Sequence, residues 1–192
     1  MSPHRFDPAR LGRLNDIARL DDLAPGPMWK AFGVPDARLV VELGAGTGMF
    51  AREFAARMKP GGRLFAVDSS SEMVRWMTQH LVGATDVEIV PTLADAAELP
   101  LDTGSADLVY TVNVYHELDD PPAVLKEALR VLRPGARVAI VDWKKEATPK
   151  GPPIEHRSDL DAMTGALESA GFTSVTSHPV LRYHNVLTAT RP

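Results

Sequence analysis

The chain has 192 residues, 44% of them hydrophobic and 24% charged, with a formal net charge of −4. That length fills one domain and buries a core without staples, and a mildly acidic balance with no basic block argues against nucleic acid or an anionic membrane as the main partner. Cysteine is absent, which excludes disulfides, thiolate metal ligands and thiol nucleophiles.

Met1–Pro35 opens the chain with charges every few residues and no signal-peptide core. No run approaches the ~20 apolar residues of a membrane span, so the expected location is the cytoplasm. The segment is amphipathic in patches and is expected to be helical, packing on or capping the active site of the domain that follows at 36–192. Trp29 and Phe32 are its expected anchors.

From there the elements alternate. Arg38–Leu43 is an apolar, β-rich run, and Gly48–Met58 has apolar residues at helical spacing. Arg63–Asp68 reads as a second strand, Ser70–Leu81 as a helix capped by Ser70, and Asp86–Pro91 as a third strand. Thr92–Ser105 is a loop with room for one helical turn. Ala106–Val112 is a fourth strand. A helix follows, with Pro121 and Pro122 near its start and Pro134–Gly135 as its stop, and Arg137–Asp142 is a fifth strand. Lys144–Arg157 has no period and three prolines, the length and texture of a functional connection. Asp159–Ala170 is a last helix, and Thr173–Pro179 and Arg182–Thr190 are strands too close in sequence for anything but an antiparallel hairpin. The expected fold is α/β: a Rossmann-like, doubly wound sheet, mostly parallel, with an antiparallel C-terminal edge hairpin.

Between the first strand and the first helix stands Gly44-Ala45-Gly46-Thr47-Gly48. Such a turn lets backbone approach a ligand and aims free N–H groups at it. The dinucleotide fingerprint spaces its glycines as G-x-G-x-x-G. Here the spacing is G-x-G-x-G, and Met49 occupies the place of the third dinucleotide glycine. Gly48 is read as a packing residue. Asp68 ends the second strand about 20 residues on, where an acid accepts from ribose hydroxyls.

"VVELGAGTG" resembles the first motif of class I S-adenosylmethionine-dependent methyltransferases, and "FAVDSSSEMV" resembles their second. "DAAELPLDTGSADLVYTVNVYHEL" and "ALRVLRPGARVAIVDW" are similar to the motifs that follow. The match runs from Arg38 to Trp143 and points to the small type 11 group, similar to the ubiquinone/menaquinone C-methyltransferases. The resemblance implies S-adenosylmethionine as cofactor, S-adenosylhomocysteine as product, and roles for individual residues. Glu42 faces the methionine amino group, and Gly44, Ala45 and Gly46 pass beneath methionine and ribose. Asp68 takes the ribose hydroxyls, and Ser69 and Met73 lie near the adenine. Asp95 and Ala96 meet the adenine edge, and Asn113 binds the methionine end.

A base is required only where the acceptor must lose a proton. His116, Asp142 and His156 are the candidates, with Arg157 as a partner for an anionic acceptor; Tyr183 and His184 are expected to be structural. His116-Glu117 begins like H-E-x-x-H, but Asp120 stands in the last position, so no zinc is expected. The expected activity is methyl transfer to a small-molecule acceptor, by a monomer or homodimer. The rivals are a nicotinamide-dependent oxidoreductase and a non-catalytic S-adenosylmethionine-binding protein.

Overall fold

A computed structural model of the chain describes residues 11–81, 83 and 86–192. Met1–Arg10, the start of the expected N-terminal segment, lies outside the described residues. The N-terminal segment continues as two short helices, α1 (Leu11–Leu14) and α2 (Arg19–Asp22), and a longer one, α3 (Pro25–Phe32). The alternating part follows as β1 (Leu39–Leu43), α4 (Met49–Ala55), β2 (Arg63–Asp68), α5 (Ser71–His80), β3 (Glu88–Leu93), β4 (Ala106–Val112), α6 (Pro121–Val131) and β5 (Leu132–Trp143). The chain then adds α7 (Leu160–Ser169), β6 (Thr173–Ser177) and β7 (His184–Thr190).

The sheet runs β3-β2-β1-β4-β5-β7-β6. β1 to β5 pair in parallel, and β7 enters antiparallel between β5 and β6. This is the expected doubly wound sheet with its antiparallel edge. Strand order reverses between β1 and β4, so the carboxyl ends of these two strands flank the crevice where such sheets bind ligands.

Alternation along each strand feeds two cores. Val40, Leu64, Leu108, Tyr110 and Val141 face Met28, Phe32, Phe54 and Met77 of α3, α4 and α5. Val41, Val67, Val109, Val138 and Ile140 face Leu125, Val131, Met163 and Leu167 of α6 and α7. Both faces are apolar, which is why the strands read as continuous hydrophobic runs. Aromatic rings join the N-terminal segment to the sheet: Phe54 lies edge-on to Tyr110 at 4.9 Å, and Trp29 stacks on Phe54 at 5.7 Å.

Side chains set the helix starts. Ser70 accepts from the Met73 N–H at 3.4 Å, Asp120 from Ala123 at 3.0 Å and Asp159 from Asp161 at 3.0 Å.

Three sequence expectations need correction. β3 lies two residues further on than expected and contains Pro91. It is an edge strand, where a missing N–H costs no ladder bond. Pro134–Gly135 does not separate helix from strand. β5 starts at Leu132, and the pairing jumps from Ala106–Leu132 to Leu108–Arg137 across these residues. The loop after β3 forms no helical turn; Asp95 and Glu98 close it as a tight bridge.

Candidate active site

A cavity of about 900 Å³ opens at the carboxyl ends of β1, β2 and β4. Its floor is the glycine turn. Gly44 has φ +69°, and a Cβ there would lie 2.6 Å from a Val114 methyl, so only glycine fits. Gly48 serves packing instead: a Cβ would meet Leu81 at 2.2 Å. Its neighbours belong to the α5 region rather than to the sheet, so it admits helix α5 against the turn.

All ten expected cofactor residues line this one cavity. Glu42, Gly44, Ala45 and Gly46 come from the end of β1 and the turn. Asp68, Ser69 and Met73 come from the end of β2 and the start of α5, Asp95 and Ala96 from the loop after β3, and Asn113 from the end of β4.

The wall is braced from behind. Asp68 accepts from the Gly46 N–H at 2.8 Å and the Ser70 N–H at 2.9 Å, tying the turn to α5. Asp95 accepts from the Ala97 N–H at 2.9 Å. Its loop is held to α6 by Leu99, whose N–H donates to Glu127 at 2.7 Å and whose carbonyl accepts from Arg130 at 3.2 Å. Asn113 sits at φ +57°, a left-handed conformation that asparagine tolerates better than most residues. Its N–H donates to Val141 at 2.8 Å.

Three residues of the lining carry polar atoms with no partner. Glu42 Oε2, Thr47 Oγ1 and Asn113 Oδ1 are buried and make no hydrogen bond. Orphaned polar atoms inside a fold cost free energy unless something satisfies them. Glu42 is 2% exposed. Burial pushes its carboxyl up to about 8, against the pull of the nearby Tyr110 hydroxyl and the Arg19 guanidinium. Two acceptors and a hydroxyl without partners fit a ligand such as S-adenosylmethionine, whose α-amino group supplies donors and whose carboxylate supplies acceptors.

The three candidate bases are not on the cavity wall. Asp142 is 0% exposed. It shares strand parity with Val138 and Ile140, so it points to the α6–α7 face rather than into the crevice. There it accepts from the His116 N–H at 3.0 Å, the His116 ring at 2.7 Å and the Trp143 N–H at 2.7 Å. His116 is held by that carboxylate, and its other ring nitrogen lies 3.7 Å from Glu117, which does line the cavity. Burial pulls the His116 ring down, but Asp142 and Glu117 outweigh it and its pKa is raised. His156 lies in a single 3-10 turn, Ile154–His156, away from the cavity lining.

Arg157 does not face the cavity either. Its guanidinium donates to the carbonyls of Pro152, Lys144 and Glu146 at 2.8 to 3.0 Å and lies over the Trp143 ring at 5.2 Å. It pins Lys144–Arg157 into a fixed loop, which an ion pair between Lys150 and Asp22 joins to the N-terminal segment. His184 packs on Trp143 with ring centroids 4.1 Å apart.

Sequence reading missed several wall residues. Thr47 stands inside the glycine turn, where its residue type alone does not signal a hydroxyl on the cavity lining. Leu14 and Arg19 reach the cavity from the N-terminal segment, and no local motif marks them. Glu98, Glu117, Asp119 and Asp120 add an acidic rim that only the folding of two loops toward each other assembles.

Comparison with known proteins follows the same geometry. The model of a methyltransferase domain family, type 11, matches residues 41–140, more than half of the chain. The chain belongs to this family. A SAM-dependent methyltransferase from Aquifex aeolicus has a solved structure that superposes with a TM-score of 0.90 at 30% identity, over 98% of this chain and 100% of that one. The ubiquinone/menaquinone biosynthesis C-methyltransferase UbiE of Bordetella parapertussis is 30% identical over 131 residues, which cover 65% of this chain and 50% of that protein. A malonyl-acyl-carrier-protein O-methyltransferase of Methylococcus capsulatus is 36% identical over 107 residues, covering 56% of this chain and 38% of that protein. The chain thus spans half or less of the length of these two curated relatives, and the resemblance to them lies in the methyltransferase domain. Among the described residues no helix is long and apolar enough to cross a membrane.

Proposed function

We propose that this methyltransferase domain transfers the methyl group of S-adenosylmethionine to a small-molecule acceptor. The observation that carries the reading is the cavity at the β1–β4 switch point, lined by Glu42, Thr47 and Asn113, each with a buried side-chain oxygen that has no partner, and by Asp68 and Asp95. Glu42 and Asn113 would hold the methionine end, Asp68 the ribose, and Asp95 and Ala96 the adenine. When bound, the cofactor supplies an electrophilic methyl already activated by its sulfonium.

The chain's task is then placement. Alignment of acceptor and methyl group within about 3 Å is worth several kcal/mol. The N-terminal segment supports this by closing one side of the cavity with Leu14 and Arg19. A volume of about 900 Å³ is at the upper end of small-molecule pockets, which run from ~300 to 1,000 Å³. That room for two small ligands supports a compact acceptor over a macromolecule. The likeness to a ubiquinone/menaquinone biosynthesis C-methyltransferase supports the same class. His116 acts as a positioning group in this reading, because Asp142 holds its ring and the residue lies off the cavity lining.

The test is to incubate the protein with methyl-labelled S-adenosylmethionine and a cell extract split into a low-molecular-mass filtrate and a macromolecular fraction. Label should pass to the filtrate and fall at least tenfold with Asp68→Ala. Label on the macromolecular fraction, or none on either, contradicts the proposal.

A further inference from the structure

Arg19 is the single cation on the cavity wall among the described residues, facing seven acids: Glu42, Asp68, Asp95, Glu98, Glu117, Asp119 and Asp120. It comes from α2, outside every motif read in the sequence. Its side chain lies over the Phe50 ring at 5.2 Å, and Nη1 donates to the Leu14 carbonyl at 2.8 Å. No salt bridge occupies its remaining N–H groups among the described residues, although a guanidinium carries five donors in a planar fork that suits a carboxylate. Its closest charged company is Glu42 and Asp16.

Thr47 is the second part of the arrangement. It is 3% exposed, it lies on the same cavity wall, and its hydroxyl has no partner. The turn brings it within five residues of Glu42, and Leu14 of the covering segment touches that turn. A Cβ on Gly46 would meet the Leu14 methyl at 3.2 Å.

This end of the cavity therefore presents donors and acceptors together: Arg19 and Thr47 as donors, Glu42 and Asn113 as acceptors. That is the complement of an α-amino acid zwitterion. Building on the cofactor reading above, we infer that Arg19, with Thr47, binds the α-carboxylate of the methionine end, while Glu42 and Asn113 take its ammonium group. The N-terminal segment is then part of the cofactor site and not only a cover over the acceptor. Recognition of the carboxylate also couples the placement of α1 and α2 to cofactor binding, so the site is completed only when a full amino-acid end is present.

A rival occupant for Arg19 is an anionic acceptor. The neighbourhood decides between them: Arg19 lies beside Glu42, on the aromatic ring of α4 that follows the glycine turn, whereas the acidic rim of Glu117, Asp119 and Asp120 would repel an incoming anion.

The experiment titrates two probes calorimetrically, S-adenosylhomocysteine and its decarboxylated analogue S-adenosyl-3-thiopropylamine. The proteins are wild type, Arg19→Met and Thr47→Val. Methionine keeps the packing stem over Phe50 and removes only the charge. Wild type should bind S-adenosylhomocysteine at least tenfold more tightly than the analogue. Arg19→Met should erase most of that difference, weakening the first probe tenfold or more and the second less than twofold; Thr47→Val should do the same to a smaller degree. Hydrogen exchange over residues 11–24 should slow with S-adenosylhomocysteine and not with the analogue. Equal losses for both probes, or no loss for either, overturn the assignment of Arg19 while leaving the cofactor reading standing. Failure of wild type to bind S-adenosylhomocysteine overturns both.

Discussion

Two buried polar clusters lie at the same end of the sheet, and they are opposites. Around Asp142 the polar groups satisfy one another: one carboxylate accepts from His116 twice and from Trp143 once, and Arg157 is spent on the carbonyls of its own loop. Around Glu42 they do not: Glu42, Thr47 and Asn113 each keep a buried side-chain oxygen without a partner, and all three residues belong to the lining of a cavity. A closed network fixes the shape of the chain, whereas an open one is completed by a ligand. Catalytic residue types alone do not distinguish the two clusters, since the closed one holds the histidine and the aspartate that looked most like an acid–base pair.

This contrast can be broken by mutation, and the largest effect belongs to the closed cluster. Asp142→Ala leaves three donors stranded and should cost about 3–5 kcal/mol of unfolding free energy, as for a broken buried pair. Binding of S-adenosylhomocysteine by the folded fraction should stay within threefold of wild type. Denaturant unfolding and calorimetry on the same sample check both halves. A stable variant that has lost binding would place Asp142 in the ligand site instead.

His184 sharpens the comparison, because both its ring nitrogens are buried and unpartnered, yet it does not line the cavity. Burial answers this by neutrality: it pushes the ring down to about 4 from 6.5. The unfolded chain binds this proton more readily, so the folded state is favoured fully above pH 6.5 and loses that advantage as pH falls toward 4. The window is worth on the order of 3 kcal/mol. Stability measured from pH 7 to 4 should fall accordingly, and His184→Leu should flatten that part of the curve. An unchanged slope in the variant would assign the acid sensitivity to other groups.

The smallest effect on stability, and the clearest on binding, belongs to Glu42. Its pKa of about 8 lies above the unfolded value, so it holds a proton at neutral pH and disfavours the folded state as pH rises from 4.5 to 8. Glu42→Gln should therefore change stability by no more than about 1 kcal/mol, or raise it, while weakening S-adenosylhomocysteine by tenfold or more, the worth of a charged hydrogen bond at about 1.5–3 kcal/mol. An ammonium ligand favours the ionised carboxylate, so wild-type affinity should climb with pH and level off above 8. Binding at pH 7 should release a proton, seen as heats that depend on the buffer, and the variant should release none.

Most of the fold was legible because it rests on local signals. Arg63–Asp68 and Ala106–Val112 are the strands expected, and Ser70 caps the helix assigned to it. The boundaries that moved did so for tertiary reasons. Pro91 enters a strand because that strand is at the edge, and Pro134–Gly135 is absorbed by a shift in pairing with β4. The lining of the cavity was legible because its residues follow directly from strand ends. The acid–base assignments were not, because parity decides them: Val141 and Asp142 point to opposite faces, and the sequence placed both at the end of one strand without saying which end of the alternation met the crevice. Arg19 was invisible for a different reason, since it meets the glycine turn only after the N-terminal segment folds back over it.

The measurement closest to the central claim is a calorimetric titration of the purified protein with S-adenosylhomocysteine, NAD and NADP in parallel, repeated on Asp68→Ala. Micromolar binding of S-adenosylhomocysteine alone, weakened at least tenfold by the substitution (about 1.4 kcal/mol), is the expected result. Binding of a nicotinamide dinucleotide, or of none of the three, would contradict the account of the open cluster as a methionine-binding end.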